Sequence, residues 1–169
     1  MTIDEVDSYA FLPRAFRPLY EAEPWADHEP VWAPFAVPLS EARVALLSSA
    51  GIHVLDEQEP FDVERERREP SWGDPTSRVI PADVTPERIG VNHLHINTTD
   101  IEADIDVALP VHRLTELVGE GLVGEASPVN FSVMGYQEHG AEVWRTRTGP
   151  DIASRCHAAD IDALILAPA

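Results

Sequence analysis

Two histidines separated by one residue are the densest reactive feature of the sequence. His93 and His95 lie in the segment NHLHINTTD, residues 92–100, which also carries Asn97 and Asp100. In a β-strand, alternate side chains point to the same face and are about 7 Å apart. If residues 91–96 form a strand, the two imidazoles and Asn97 share one face.

Three kinds of chemistry remain open for that face. Two imidazoles at this spacing can share a divalent metal, with Asp100 or Asp104 as a carboxylate ligand. They can also hold a substrate carboxylate or transfer protons near neutral pH. In the third interpretation, His93 and His95 bond only to loop carbonyls, because an H-x-H pattern is weakly specific.

A second polar segment, GDPTSR at residues 73–78, combines turn residues with a guanidinium. Thr76, Ser77 and Arg78 could bind an anion, with Arg78 making a two-pronged contact. The alternative is structural: Asp74 starts a turn and Arg78 pairs with an acidic side chain. The nearby run ERERRE, residues 64–69, is typical of a solvated charged surface.

Cys156 is the single cysteine, so it cannot form an internal disulfide or a thiolate zinc site alone. It lies inside a predicted helix, away from the helix start that lowers a thiol pKa. We therefore interpret it as structural and predict no catalytic nucleophile within the chain.

The elements that would position these residues alternate between strands and helices. Apolar runs predict buried strands at Val44–Ser48 and Ala163–Ala167, and periodicity predicts helices over residues 111–122 and 151–159. Three further strands are predicted at residues 79–80 (at a sheet edge), 91–96 and 131–134, and residues 56–77 read as one long loop. This order predicts an α/β fold with a mostly parallel, layered sheet and flanking helices, and a pocket at the carboxyl ends of its strands.

The N-terminal segment has a different character. Six prolines fall within the first 38 residues, together with Trp25, Trp32 and Phe35. Because proline removes an N–H donor and disfavours helix before it, residues 1–38 are predicted to be an extended arm. Residues 39–169 are then predicted to form the α/β domain.

Charge and hydropathy exclude several classes of function. The formal net charge is −18, and all twelve basic residues are arginine. Such a chain is repelled by nucleic acid and by anionic membrane surfaces. No apolar run is long enough to span a bilayer and no signal pattern opens the chain, so we expect a cytoplasmic protein.

Six blocks of sequence, in order, resemble the selenoprotein B family of glycine, sarcosine, betaine and D-proline reductases, with the proline-reductase-like branch the closer likeness. The resemblance extends from about Trp32 to Ala169. The blocks are PLSEARVAL (38–46), GDPTSRVIP (73–81), NHLHINTTDIEADID (92–106), LPVHRL (109–114), GLVGEASP (121–128) and SVMG (132–135).

The resemblance implies an oxidoreductase that cleaves a C–N bond of an amino acid or related amine. In that family a selenocysteine or cysteine attacks the carbon next to the carboxylate, and dithiols restore the reduced state. A partner subunit with a pyruvoyl carbonyl activates the amine. We expect the substrate pocket near five residues: Arg78, His93, His95, Asp100 and Asn130. The oligomeric state is left open, with a homo-oligomer among the options.

The family places its nucleophile just after a strand and a proline that resemble Leu166, Ala167 and Pro168. The resemblance therefore implies a selenocysteine or cysteine immediately past Ala169, and a domain truncated before it. The alternative is a non-catalytic protein that binds a small molecule or a metal with His93, His95 and Asp100.

Overall fold

The computed structural model describes residues 13–15, 33–69, 72–136 and 141–169. The chain divides into two units, Met1–Pro34 and Phe35–Ala169. The elements below all belong to the second unit. Most of the predicted arm, residues 1–38, lies outside the described residues.

Seven strands and five α-helices occur in the described residues. The strands are β1 (Arg43–Ser48), β2 (Ile52–Val54), β3 (Ser77–Pro81), β4 (Ile89–Val91), β5 (Glu125–Ala126), β6 (Val129–Val133) and β7 (Ala163–Ala167). The helices are α1 (Val63–Arg68), α2 (Thr99–Ala103), α3 (Val111–Gly119), α4 (Ala141–Val143) and α5 (Gly149–Ala158). A π-helical turn, Trp144–Thr148, joins α4 to α5, and short 3-10 turns lie at Leu39–Glu41, Pro86–Arg88 and Ile105–Val107.

Strand β1 is the centre of a five-stranded, mostly parallel sheet. On one side β7 pairs with it in parallel from Val44↔Ala163 to Ser48↔Ala167. On the other side β5 and then β6 pair with it in parallel, and β3 is antiparallel to β6. The predicted α/β architecture is confirmed, and so is the edge position of β3 among the described strands. A separate pair, β2 and β4, is antiparallel.

The break between β5 and β6 leaves the Leu46 N–H of β1 without a main-chain acceptor in those two strands. Asn130 fills this gap, because its side-chain Oδ1 accepts a hydrogen bond from the Leu46 N–H at 2.9 Å. The Ser132 hydroxyl accepts a hydrogen bond from the Ile52 N–H at 2.7 Å, at the start of β2. Both side chains are buried, which explains why polar residues interrupt an apolar strand.

Two apolar clusters cover the two faces of the sheet. The larger contains β1 side chains such as Val44 and Leu46 packed with the α2–α3 region, including Leu114. The smaller contains Phe131 and Ile152, with α5 as its outer layer. Because successive side chains of β1 and β6 point to opposite faces, the sheet packs between two helical layers.

Three predictions of local structure are wrong. The strand expected over residues 91–96 ends at Val91, because the His95 N–H bonds to the His93 ring instead of to a neighbouring strand. The loop expected over residues 56–77 contains α1, whose first turn is capped by Asp62 accepting from the Arg65 N–H at 2.9 Å.

The third concerns β7, which was expected to be buried. Its Ile165 and Leu166 are 49% and 66% exposed, on opposite faces of the sheet. The physical reason is that β7 pairs only with β1 among the described strands. In the described part of the chain, none of the helices has the length and apolarity that a bilayer crossing requires.

Candidate functional site

The loop that carries both histidines is attached to the carboxyl end of β1. Gly51 follows β1 and donates its N–H to the Val133 carbonyl at 3.0 Å, at the end of β6. Its own carbonyl accepts from the Asn92 N–H at 2.9 Å. This places Asn92, where the histidine-bearing loop begins, at the edge where open α/β sheets bind ligands.

His93 and His95 lie side by side although they are not on a strand. Their ring centroids are 6.0 Å apart in an edge-on arrangement, and the backbone N–H of His95 donates to His93 Nδ1 at 3.1 Å. The ring of Tyr136, just past β6, is 6.3 Å from that of His95. Burial lowers the pKa of His93, and the adjacent His95 lowers it further, so His93 favours the neutral form.

A buried carboxylate lies behind His95. The Glu66 side chain is only 2% exposed, and its Oε1 is 3.9 Å from Nε2 of His95, whose side chain is 64% exposed. That Oε1 atom has no hydrogen-bond partner in the structure. Burial raises the pKa of the Glu66 carboxyl, although His95 opposes this rise and Asp74 adds to it. A raised carboxyl pKa beside an exposed imidazole is typical of groups that exchange protons.

Helix α1 carries Glu66, and Asp74, in the segment before β3, anchors the start of this helix. Asp74 accepts from the Asp62 N–H with Oδ2 at 3.0 Å and from the Thr76 N–H with Oδ1 at 2.9 Å. Arg65 stacks over the ring of Trp72, 4.3 Å from its centroid. The Asp74 side chain thus joins its own backbone segment to the start of the helix that carries the carboxylate.

The environment of Glu66 predicts a pH-dependent effect on stability. A folded-state pKa above the unfolded value stabilises the fold at low pH, and that contribution is lost as pH rises through the folded pKa. Glu66→Gln, which stays neutral, should therefore raise the free energy of unfolding at pH 7 and leave it nearly unchanged below about pH 4. Urea unfolding at both pH values measures this.

Glu64→Gln is the matched control, because Glu64 lies on the same helix with an exposed side chain paired to Arg67. Its effect should stay below about 1 kcal/mol at either pH. A lower stability of Glu66→Gln at pH 7 would show that the ionised carboxylate is favourably placed, against this prediction.

Arg78 is occupied by structural contacts. Its guanidinium donates to the carbonyls of Glu59 at 2.7 Å and Pro60 at 3.2 Å and to the Thr76 hydroxyl at 2.8 Å. It also lies over the Phe61 ring, 4.2 Å from the centroid. Arg78 therefore holds residues 59–61 in place, and its guanidinium is engaged by these contacts.

Asn130 and Asp100 are not brought next to the histidine pair by any contact of the structure. Asn130 is inside the sheet, where it bonds to Leu46. Asp100 is exposed on α2. Across residues 33–69, 72–136 and 141–169, no group of three His, Cys, Asp or Glu side chains is arranged to hold a metal ion. The predicted metal ligands His93, His95 and Asp100 do not form such a group.

Sequence reasoning missed Glu66 and Tyr136. Glu66 was assigned to a solvated charged surface, but it lies three residues after Val63, so a helix over residues 63–68 places both side chains on one face. That spacing was a usable signal. Tyr136 follows β6 and meets His95 only through the tertiary fold, so no local pattern could reveal it.

The carboxyl end of β7 lies beside that of β1. The Ala169 N–H donates to the Ser49 hydroxyl at 2.9 Å. Beneath this edge, an apolar cavity of about 320 Å³ lies between α5 and the sheet, and Cys156 and Leu166 are in its lining. Burial raises the pKa of the Cys156 thiol, which agrees with a structural cysteine.

Comparison with known proteins shows similarity to a reductase subunit. The chain is 29% identical, over 137 residues, to D-proline reductase subunit gamma of Acetoanaerobium sticklandii. The match covers 81% of this chain and 52% of that protein, so the chain spans about half the length of the curated relative it matches. No protein-family model and no solved structure matches the chain. The chain is thus related to a proline reductase subunit.

Proposed function

We propose that this chain supplies the substrate-binding part of a reductase that cleaves a C–N bond of an amino acid or related amine. The observation that carries the proposal is the exposed His95 imidazole, backed by buried Glu66, at the carboxyl edge of the sheet. The similarity to D-proline reductase subunit gamma supports the reaction class. Partner subunits belong to the proposal, because that relative is named as a subunit.

The reaction needs two electrons and two protons. The bond between the nitrogen and the carbon next to the carboxylate breaks, the carbon gains one hydrogen and the nitrogen gains the other. A dithiol supplies both electrons and becomes a disulfide. A selenocysteine or cysteine of the complete enzyme would provide the soft nucleophile, and a pyruvoyl carbonyl on a partner subunit would activate the amine.

Within this chain, the proposed task is to bind the substrate and to deliver a proton. The His95 side chain is exposed and accessible to a ligand, whereas Nδ1 of His93 already accepts a hydrogen bond from the backbone N–H of His95. An imidazole changes its charge near neutral pH, so it can contact a substrate carboxylate when protonated and give a proton to a departing nitrogen. We assign the ligand contact to His95 and place His93 in a supporting role.

Calorimetric titration of the 169-residue chain with D-proline, glycine and betaine tests the proposal. We expect at least one of these ligands to bind, and His95→Ala to weaken that binding by about tenfold, the effect of losing one charge-assisted hydrogen bond. His112→Ala is the control, because His112, on α3, is also exposed but pairs at 3.2 Å with Asp106 of the preceding 3-10 turn. That variant should bind as the wild type does.

Two outcomes would overturn the proposal. One is the absence of binding for all three compounds, and the other is equal binding by wild type and His95→Ala. A parallel titration with Zn²⁺ tests the non-catalytic alternative. Stoichiometric zinc binding that His95→Ala abolishes, without amino-acid binding, would favour a metal-binding protein.

A further inference from the structure

Glu66 is placed at an energetic cost that the fold does not require. Its side chain is 2% exposed, and Oε1 has no hydrogen-bond partner. A buried carboxylate without full hydrogen bonding is strongly unfavourable, because it loses its hydration. Residues that keep such a cost are concentrated at functional sites, where the charge acts on a neighbouring group.

The neighbouring group is His95, and the geometry between them is directional. Nε2 of His95 faces the buried carboxylate at 3.9 Å, while the side chain as a whole is 64% exposed. The two ring nitrogens lie on different edges of an imidazole, so a ring held at Nε2 leaves Nδ1 for another partner. Distances of this kind often shorten to hydrogen bonds when ligand binds.

We propose that Glu66 is a positioning residue that holds the His95 ring by Nε2 and turns its Nδ1 edge toward the substrate nitrogen. This inference rests on the proposed function and adds a named residue behind the ligand contact. The other groups that face the pair are Asp74 beside Glu66, and His93 and Tyr136 beside His95. His93 adds positive charge only when protonated, whereas the Asp74 carboxylate adds negative charge near Glu66.

In the proton-transfer step, His95 starts as the imidazolium with the Glu66 carboxylate behind it. As the C–N bond breaks, its electron pair stays on the nitrogen, and that nitrogen takes the Nδ1 proton of His95. The ring becomes neutral and keeps its Nε2 proton toward Glu66. The two electrons of the reduction come from the dithiol of the proposed reaction, so His95 and Glu66 are neither oxidised nor reduced.

NMR spectroscopy of the 169-residue chain tests the positioning role without any turnover. In the wild type we expect His95 side-chain couplings of a single rotamer, because the buried carboxylate attracts the Nε2 edge of the ring. Glu66→Leu should average these couplings over several rotamers, while Glu66→Gln, whose amide oxygen can still accept, should retain part of the single-rotamer preference. Glu64→Gln, on the same helix, should match the wild type.

The outcomes separate this inference from the proposed function. If the His95 couplings are the same in wild type, Glu66→Gln and Glu66→Leu, the positioning role is refuted, even where D-proline, glycine or betaine still binds. If the couplings respond as expected but none of the three compounds binds, the positioning stands and the reductase proposal fails. Should Glu66→Leu not fold, Glu66→Gln decides, because a ring as ordered as in the wild type would refute the role.

Discussion

Replacing Gly51 by alanine should cost about 3 kcal/mol or more of folding free energy and displace the histidine loop. Gly51 has φ +68°, and a Cβ there would lie 2.1 Å from the Asn92 carbonyl oxygen and 2.7 Å from Met134 Sδ. The carbonyl belongs to the backbone, so no rotamer change relieves the clash. Because Asn92 leads into residues 92–98, the relief must move the loop that carries His93 and His95.

Denaturant unfolding measures the lost free energy of folding. A loss of this size corresponds to a midpoint of thermal unfolding that is lower by about 6–12 °C. Binding of D-proline, glycine or betaine, measured by the calorimetric titration proposed above, should weaken in the same variant. Gly119→Ala is the matched control, since nothing lies within 4 Å of a Cβ at that position on α3. It should be neutral or stabilising by up to about 1 kcal/mol. Equal effects at the two glycines would contradict the argument.

Asn130→Ala should lower the free energy of unfolding by about 2–3 kcal/mol. The substitution removes the Oδ1 atom that accepts from the Leu46 N–H at 2.9 Å, inside a side chain that is 1% exposed. The donor is then left buried without an acceptor, and a small cavity forms beside it. Urea unfolding should show a lower midpoint with an unchanged slope, because the unfolded state exposes the same surface.

Asn97→Ala tests the same chemistry at the surface. The Asn97 Oδ1 accepts from the Thr99 N–H at 3.1 Å, but the residue is exposed, so water can replace the bond. Its cost should stay below about 1 kcal/mol. If Asn130→Ala costs no more than Asn97→Ala, the Leu46 donor has found another partner and the interpretation of the sheet is incorrect.

The elements built from local pattern were predictable. The apolar runs predicted strands β1 and β7, and the helical periodicity of apolar residues predicted α3 and α5, although β7 is less buried than its run indicates. Their alternation also gave the parallel arrangement. The same rule predicts a candidate site at the carboxyl edge of the sheet, since parallel strands bring their carboxyl ends together.

The details of the site depend on contacts distant in the sequence. The pairing of Glu66 with His95 joins residues 29 positions apart, and Tyr136 arrives from beyond β6. The H-x-H pattern suggested a strand, whereas a bond from the His95 N–H to its neighbour's ring produced a loop. For Arg78 the sequence left an anion contact and a structural role open, and the structure shows its guanidinium donating to carbonyl groups of the main chain.

Most of the bonds that hold a sheet together are insensitive to substitution, because every residue except proline carries the same peptide group. At Leu46 and Ile52 this protection is lost, since the acceptors are the side chains of Asn130 and Ser132. The attachment of β6 to the central strand β1 and to β2 therefore depends on these two side chains. In an evolving lineage, those two positions would limit drift near the site more tightly than the apolar residues around them, which tolerate exchange at similar volume.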